Sequence, residues 1–322
     1  MRIAITGAYG FIGRELARAL LCTGTLADRR GRLQPIDDIL LVDAAIPSRT
    51  DPRFTSMNAD LTEPGALGDI AAWKPDAIFH LAAILTSAAE RDPARALSVN
   101  VSALARLIEL TGNRAAPPRV IFPSSIAVFG GALPDTVDDD LAQRPQTSYG
   151  THKAIAELML ADATRHGLID GRALRLPIVL VHPGPPTQSV SDRIAAVVRD
   201  AVAGRDVTIP LGPDTRVPVA SVQTVASALI ALHNADRAEL DDRTAVNLPA
   251  LTISMTDIVA ALRNAVPGIT DRKLTYAPQP ELESIVASWP KGFVSNYAAR
   301  IGIEADTDFA DIVSRYSASL QP

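Results

Sequence analysis

The tightest constraint on the fold is a rhythm in the first half of the chain, where short apolar runs alternate with segments of helical spacing. "RIAIT" (2–6), "ILLVD" (39–43), "AIFHL" (77–81) and "RVIFPS" (119–124) are almost continuously apolar, as strands buried on both faces must be. Between them, "FIGRELARALL", "PGALGDIAAW" and "PARALSVNVSALARLIELTG" place apolar residues at helical intervals. A further strand, "RALRLPIVLV" (172–181), follows a helix that begins near Ser148. Repeated β-α-β units predict a Rossmann-type α/β fold, a doubly wound parallel sheet with helices on both faces. Beyond residue 182 the rhythm loosens into a Pro-rich loop, "HPGPPTQS", and short strands near 207–209 and 216–219. Helices are expected there over 189–204, 222–234, 254–265, 280–288 and 307–319. This part predicts a smaller C-terminal α/β cap that binds substrate over the ligand edge of the sheet.

Composition narrows the class. Hydrophobic residues make up 47% of the 322 and charged residues 21%, the balance of a soluble globular enzyme rather than a disordered chain. The net charge of −5 is spread out, with no basic stripe for nucleic acid. The single cysteine, Cys22, excludes an intrachain disulfide and agrees with a reducing compartment; it is expected to pack on the apolar face of the first helix. The chain enters "MRIAITG" with no basic leader, and no apolar run reaches the ~18–20 residues of a bilayer span. The expected setting is cytoplasmic, with neither membrane nor nucleic acid as partner. The five histidines share no metal-ligand spacing, so no metal is expected.

"TGAYGFIG" sets Gly7, Gly10 and Gly13 directly after the first strand, with Phe11 and Ile12 opening the helix. Glycines there supply a tight turn, backbone approach to a pyrophosphate and close helix–strand packing. The helix N-terminus offers N–H groups and partial positive charge to phosphates. Asp43, at the next strand's end, would accept bonds from the adenine ribose hydroxyls and repel a 2′-phosphate. The nearest following arginine is Arg49, so NAD is expected rather than NADP. Asp60 and Leu61 suit the adenine edge. Leu81, Ala82 and Ala83 in "HLAA" leave room for a dinucleotide, and Pro177 is counted among the same contacts. The expected division is an NAD-binding domain over 1–181 and a mainly cap-forming part over 182–322, with a soft boundary that lets segments interleave.

"SYGTHKAIAE" places Tyr149 and Lys153 one helical turn apart. Only four of the 31 basic residues are lysines, so the spacing is improbable by chance. On its own it reads either as a catalytic pair or as part of an amphipathic helix whose packing face includes Ile155, Leu158 and Met159.

The glycine turn, "HLAA", "PSSIAVFG" and "YGTHK", in this order, resemble the extended short-chain dehydrogenase/reductase superfamily, also called NAD-dependent epimerases/dehydratases. The resemblance covers residues 1 to about 235 and implies a catalytic set of Ser125, Tyr149 and Lys153. Six further segments, "SSIAVFGGALPD", "QTSYGTHKAIAELML", "DGRALRLPIVLVHPG", "PDTR", "VNLPALTIS" and "IVASWP", resemble the D-erythronate dehydrogenase family more narrowly, through the cap. That family oxidises a four-carbon sugar acid at C2 with NAD. The chain departs from it at Ser87 and Ala88, where Gly and Glu are common, and after Arg216, where "VPVASVQT" is smaller and less basic. These departures lie near the expected substrate pocket.

Oxidising an alcohol requires a base for the hydroxyl proton while hydride leaves. A tyrosine of pKa ~10 is a poor base at neutral pH, and a neighbouring lysine cation is expected to favour its phenolate. Lys153 would also hold the nicotinamide ribose, and Ser125 would fix the reacting oxygen. Ser124 either assists or satisfies backbone groups. Asn100 in "SVNVSA" reads equally as a cofactor-site residue or as a polar group bonded within a helix pair. Arg216 would grip the substrate carboxylate or stand at the surface; Thr86 and Ser87 would line the hydroxyl pocket. Asp138–Asp140 reads as a solvated turn and "ASWP" as cap packing. The leading expectation is an NAD-dependent dehydrogenase of a small sugar acid, acting as a homodimer as the superfamily commonly does. A nucleotide-sugar epimerase that keeps its NAD bound is the second reading, and a non-catalytic NAD-sensing scaffold the third.

Overall fold

The structure is a computed structural model describing residues 1–181, 183, 189–266, 268–269 and 273–320. Most of the Pro-rich loop expected at 182–189 lies outside the described residues. Among the described residues, ten strands build its two principal sheets: β1 (Arg2–Thr6), β2 (Asp38–Asp43), β3 (Thr55–Asn58), β4 (Ala77–His80), β5 (Arg119–Ser125), β6 (Asp170–Leu176), β7 (Ile178–Leu180), β8 (Arg216–Ser221), β9 (Ala245–Asn247) and β10 (Leu251–Ser254). The main sheet has seven parallel strands in the order β9-β6-β5-β4-β1-β2-β3. Strand order reverses between β1 and β4, and ligands of such sheets bind outside the C-terminal strand ends at that reversal.

Among the described residues, twelve α-helices accompany them: α1 (Phe11–Thr23), α2 (Ala66–Ala72), α3 (Thr86–Arg91), α4 (Pro93–Leu97), α5 (Ala103–Gly112), α6 (Ser148–Arg165), α7 (Val190–Val202), α8 (Val222–Asn234), α9 (Met255–Ala265), α10 (Pro280–Ala287), α11 (Asn296–Arg300) and α12 (Phe309–Ser319). Alternate residues of each strand feed opposite layers. Ile3, Ile5, Phe79 and Leu174 pack with Leu16 and Leu20 of α1 and Leu229 and Leu232 of α8. Ala4, Leu40, Ile78 and Phe122 pack on the other face with Leu104 and Leu107 of α5 and Leu160 of α6. A separate core joins Ile194, Val198, Val217, Val219, Ile258, Leu262 and Val313, with Trp289 of "ASWP" at its margin. Residues 222–247 nevertheless return to the main sheet, α8 covering a face and β9 extending an edge.

The structure departs from several expectations. "RALRLPIVLV" is two strands, because Pro177 lacks the N–H that a continuous ladder needs. After it, β7 leaves the main sheet and pairs with β8, which pairs in turn with β10. The long helix expected from "PARALSVNVSALARLIELTG" is α4 and α5 joined by a π-helical turn, Ser98–Ser102. Cys22 is exposed rather than packed. Leu158, assigned to a packing face, is 68% exposed, since α6 buries Lys153, Ala154, Ala156, Glu157 and Leu160 instead. Asp139 is buried, its carboxylate accepting from the Asn247 amide at 2.6 Å and the Ser295 hydroxyl at 2.8 Å.

Candidate active site

The glycine turn lies where the sheet reverses. Gly7 has φ +66°, and a Cβ there would stand 2.7 Å from the Ala82 nitrogen, so both backbone conformation and space demand glycine. A Cβ on Gly13 would stand 2.4 Å from the Gly7 carbonyl oxygen, which is the close helix–strand contact read from the motif. Gly10 caps α1 with no side-chain bond, leaving the positive end of the helix without a competing side-chain cap.

Beside the turn is a cavity of about 650 Å³ lined by Gly7, Gly10, Asp43, Asp60, Leu61, Leu81, Ala82 and Ala83. Asp43 is fixed there: one carboxylate oxygen accepts the Tyr9 amide at 2.9 Å, the other the Ala45 amide at 3.2 Å. Asp60 accepts the Thr62 amide and hydroxyl at 2.9 and 2.7 Å. Those bonds, with an ion pair to Arg95 at 2.8 Å, hold its carboxyl below the usual range. Arg95 and Arg14 also line the cavity and were not foreseen; Arg14 donates to the Tyr9 carbonyl at 2.8 Å. Phe11 instead faces a neighbouring cavity, Ile12 packs on the core, and Pro177 is buried after β6.

Asn100 stands behind this cavity. Its amide brackets Ile84, accepting from the backbone N–H at 2.8 Å and donating to the carbonyl at 2.9 Å, and lies 3.3 Å from His152 Nδ1. It therefore joins the loop after β4 to α6. Thr86 and Ser87 open α3, half-buried, and Glu90 on that helix accepts the Ser148 amide at 2.7 Å.

The expected catalytic set converges where β5 meets α6. Ser125 ends β5, its hydroxyl accepting the Ala127 amide at 3.1 Å. Thr147 caps α6 by accepting the Gly150 amide at 3.0 Å. A Cβ on Gly150 would fall 2.1 Å from the Ala127 carbonyl oxygen, so this glycine lets α6 abut the turn carrying Ser125. Lys153 is buried, donates to the Pro123 carbonyl at 2.7 Å, and stands 4.1 Å from the Phe122 ring centre and 5.5 Å from that of Tyr149. Burial pushes the Tyr149 hydroxyl up to about 12, against the opposing influence of Ser125. Burial also brings the Lys153 ammonium down to about 7, with Glu157 opposing. Desolvation thus outweighs the Ser125 hydrogen bond at the tyrosine, and the expected lowering by Lys153 is not seen there.

Glu157 continues the buried stripe of α6. It pairs with Arg175 at 2.9 Å and accepts from Gln143 at 2.5 Å and from the Ser124 hydroxyl. Ser124 is therefore committed to this network. His80 donates to or accepts from Thr6 at 2.9 Å, and burial lowers it to about 3. Arg216 begins β8, exposed, its backbone in register with Ser254 of β10 and its side chain without a hydrogen bond or ion pair to any described residue. It contributes to holding Asp135 and Asp257 low, behind Lys291 at the first and Ser254 at the second.

Against known proteins, residues 3–248 match the model of the NAD dependent epimerase/dehydratase family. The chain belongs to that family. D-erythronate dehydrogenase of Cupriavidus necator is 35% identical over 98% of both chains, and that of Haemophilus influenzae 31% identical over 98% of both. Among solved structures, a nucleoside-diphosphate-sugar epimerase from Agrobacterium tumefaciens superposes with a TM-score of 0.91, is 30% identical, and covers 99% of this chain and 94% of its own. The protein is an NAD-dependent dehydrogenase of the family. The positive φ of Gly7, the cavity beside it and the fixed carboxylate of Asp43 fit that cofactor. No helix among the described residues is long and apolar enough to cross a membrane.

Proposed function

We propose that the protein oxidises a small sugar acid at C2, D-erythronate to 2-dehydro-D-erythronate or a close analogue, with Tyr149 as base. The observation carrying this reading is the meeting of Ser125, Tyr149 and Lys153 at the strand ends that also hold the glycine turn. The relatives named D-erythronate dehydrogenase support the substrate class.

NAD, when bound, supplies the hydride acceptor and positive charge near the reacting carbon. Gly7, Gly10 and the start of α1 at Phe11 and Ile12 would hold its pyrophosphate, while Gly13 lets that helix approach. Asp43 would take the adenine ribose, and Asp60 and Leu61 the base. Leu81, Ala82, Ala83 and Pro177 would border it. Asn100 acts by positioning, since its amide already fixes the Ile84 backbone. Lys153, anchored on the Pro123 carbonyl, would reach the nicotinamide ribose and favour the Tyr149 phenolate electrostatically. Ser125 would donate to the reacting oxygen, and Tyr149 would take its proton.

The substrate carboxylate would meet Arg216, whose exposed side chain makes no hydrogen bond or ion pair to any described residue, with Thr86 and Ser87 beside the hydroxyls. The working unit is proposed to be a cytoplasmic homodimer, as the superfamily resemblance implies. Purified protein incubated with NAD and C4 sugar acids tests the reading through NADH absorbance. A nucleotide-sugar epimerase is the second reading, favoured by the Agrobacterium structure. It predicts conversion of a UDP-sugar without net NADH.

A further inference from the structure

The opposite end of the main sheet, where β5 and β6 begin, holds a charge arrangement that the dehydrogenase reaction does not use. Asp170, the first residue of β6, is shared by three guanidiniums: Arg119 at 2.7 Å, Arg172 at 3.0 Å and Arg237 at 3.2 Å. Two of these arginines have a structural task. Arg172 donates to the carbonyls of Leu232 and Ala235 at 2.7 Å each, and Arg119 to that of His233, so both cap the C-terminal end of α8.

That task leaves charge over. Arg119 is only 6% exposed, yet its Nη2 donates to no described acceptor. It lines a cavity of about 470 Å³, within the ~300–1,000 Å³ range of small-molecule sites. Arg29 and Arg30 line the same cavity from the tip of the hairpin Thr25–Ala27/Leu33–Pro35, and neither side chain bonds to any described residue. Five arginines face three aspartates there, and Asp28 and Asp236 are already engaged, Asp28 by Arg32 and Gln34, Asp236 by the Ala238 amide. The lining therefore carries two positive charges in excess, set around a buried guanidinium with unused donors.

We propose that this cavity binds a phosphate group, free or carried on a small metabolite. A phosphate dianion matches the excess charge, and its oxygens match the paired donors of guanidinium forks. The site lies at the N-terminal strand ends, away from the glycine turn.

The test uses the protein saturated with NAD, so that the pyrophosphate position is filled, and calorimetric titration with inorganic phosphate and with glucose 6-phosphate. Because Arg119 also holds α8, the exposed pair carries the comparison, as the double variant R29A/R30A. The expected result is saturable binding of at least one probe, weakened about tenfold or more in R29A/R30A and further weakened by added salt. Equal affinities would indicate that free phosphate suffices, and tighter glucose 6-phosphate a phosphorylated metabolite; both support the site. Absence of saturable binding by either probe, or unchanged affinity in R29A/R30A, would overturn it.

Discussion

Lys153 stands one helical turn beyond Tyr149, with its ammonium 5.5 Å from the phenol ring centre and hydrogen-bonded to the Pro123 carbonyl at 2.7 Å. Both groups are disfavoured in their charged forms, the tyrosine rising to about 12 and the lysine falling to about 7.

The lysine has a measurable consequence for stability. Unfolded, it holds its proton to ~10.4; folded, it releases it near pH 7. Between those values the unfolded chain carries more protons, so this residue makes stability rise with pH from about 7 to 10. In urea unfolding of the cofactor-free protein, Lys153→Met should remove that rise. Parallel curves for wild type and variant would show that Lys153 keeps its proton when buried.

Tyr149→Phe should lower kcat by roughly 10²–10⁴-fold, the usual contribution of a general base, and leave NAD affinity nearly unchanged. Steady-state kinetics beside NAD titration separate the two effects. A matching loss of affinity would make the tyrosine structural.

Asp43 accepts two backbone amides and faces the cofactor cavity. Asp43→Ala should erode the preference for NAD over NADP, read as the ratio of kcat/KM values for the two. An unchanged ratio would assign the discrimination elsewhere, with Arg14 and Arg95 the next residues to vary.

Arg216→Ala should raise KM for the acid about tenfold or more while leaving KM for NAD in place, the pattern of a lost charge-assisted contact. Equal kinetics would return Arg216 to the surface.

The main sheet was legible because its central strands are buried on both faces and so are written as unbroken apolar runs. β3, "TSMN", is an edge strand with polar residues, and nothing in its composition announces it. The glycine turn was legible for a similar reason, since backbone conformation and close contact each force a residue type. In α6, Met159 packs on the core as expected while Leu158 does not, because the buried stripe carries Lys153 and Glu157, which an apolar pattern passes over. Asp139 and Asp60 were misjudged or incompletely read because their partners arrive through space, from Asn247 and Ser295 in the first case and Arg95 in the second. Local sequence carries no trace of such pairs.

The central claim is that Ser125, Tyr149 and Lys153 oxidise a small sugar acid, and NADH formation tests it most directly. With NAD and a panel of C4 sugar acids, D-erythronate or a close analogue should give saturable NADH production that Tyr149→Phe abolishes. Failure of every acid to yield NADH, while a UDP-sugar is converted, would contradict it.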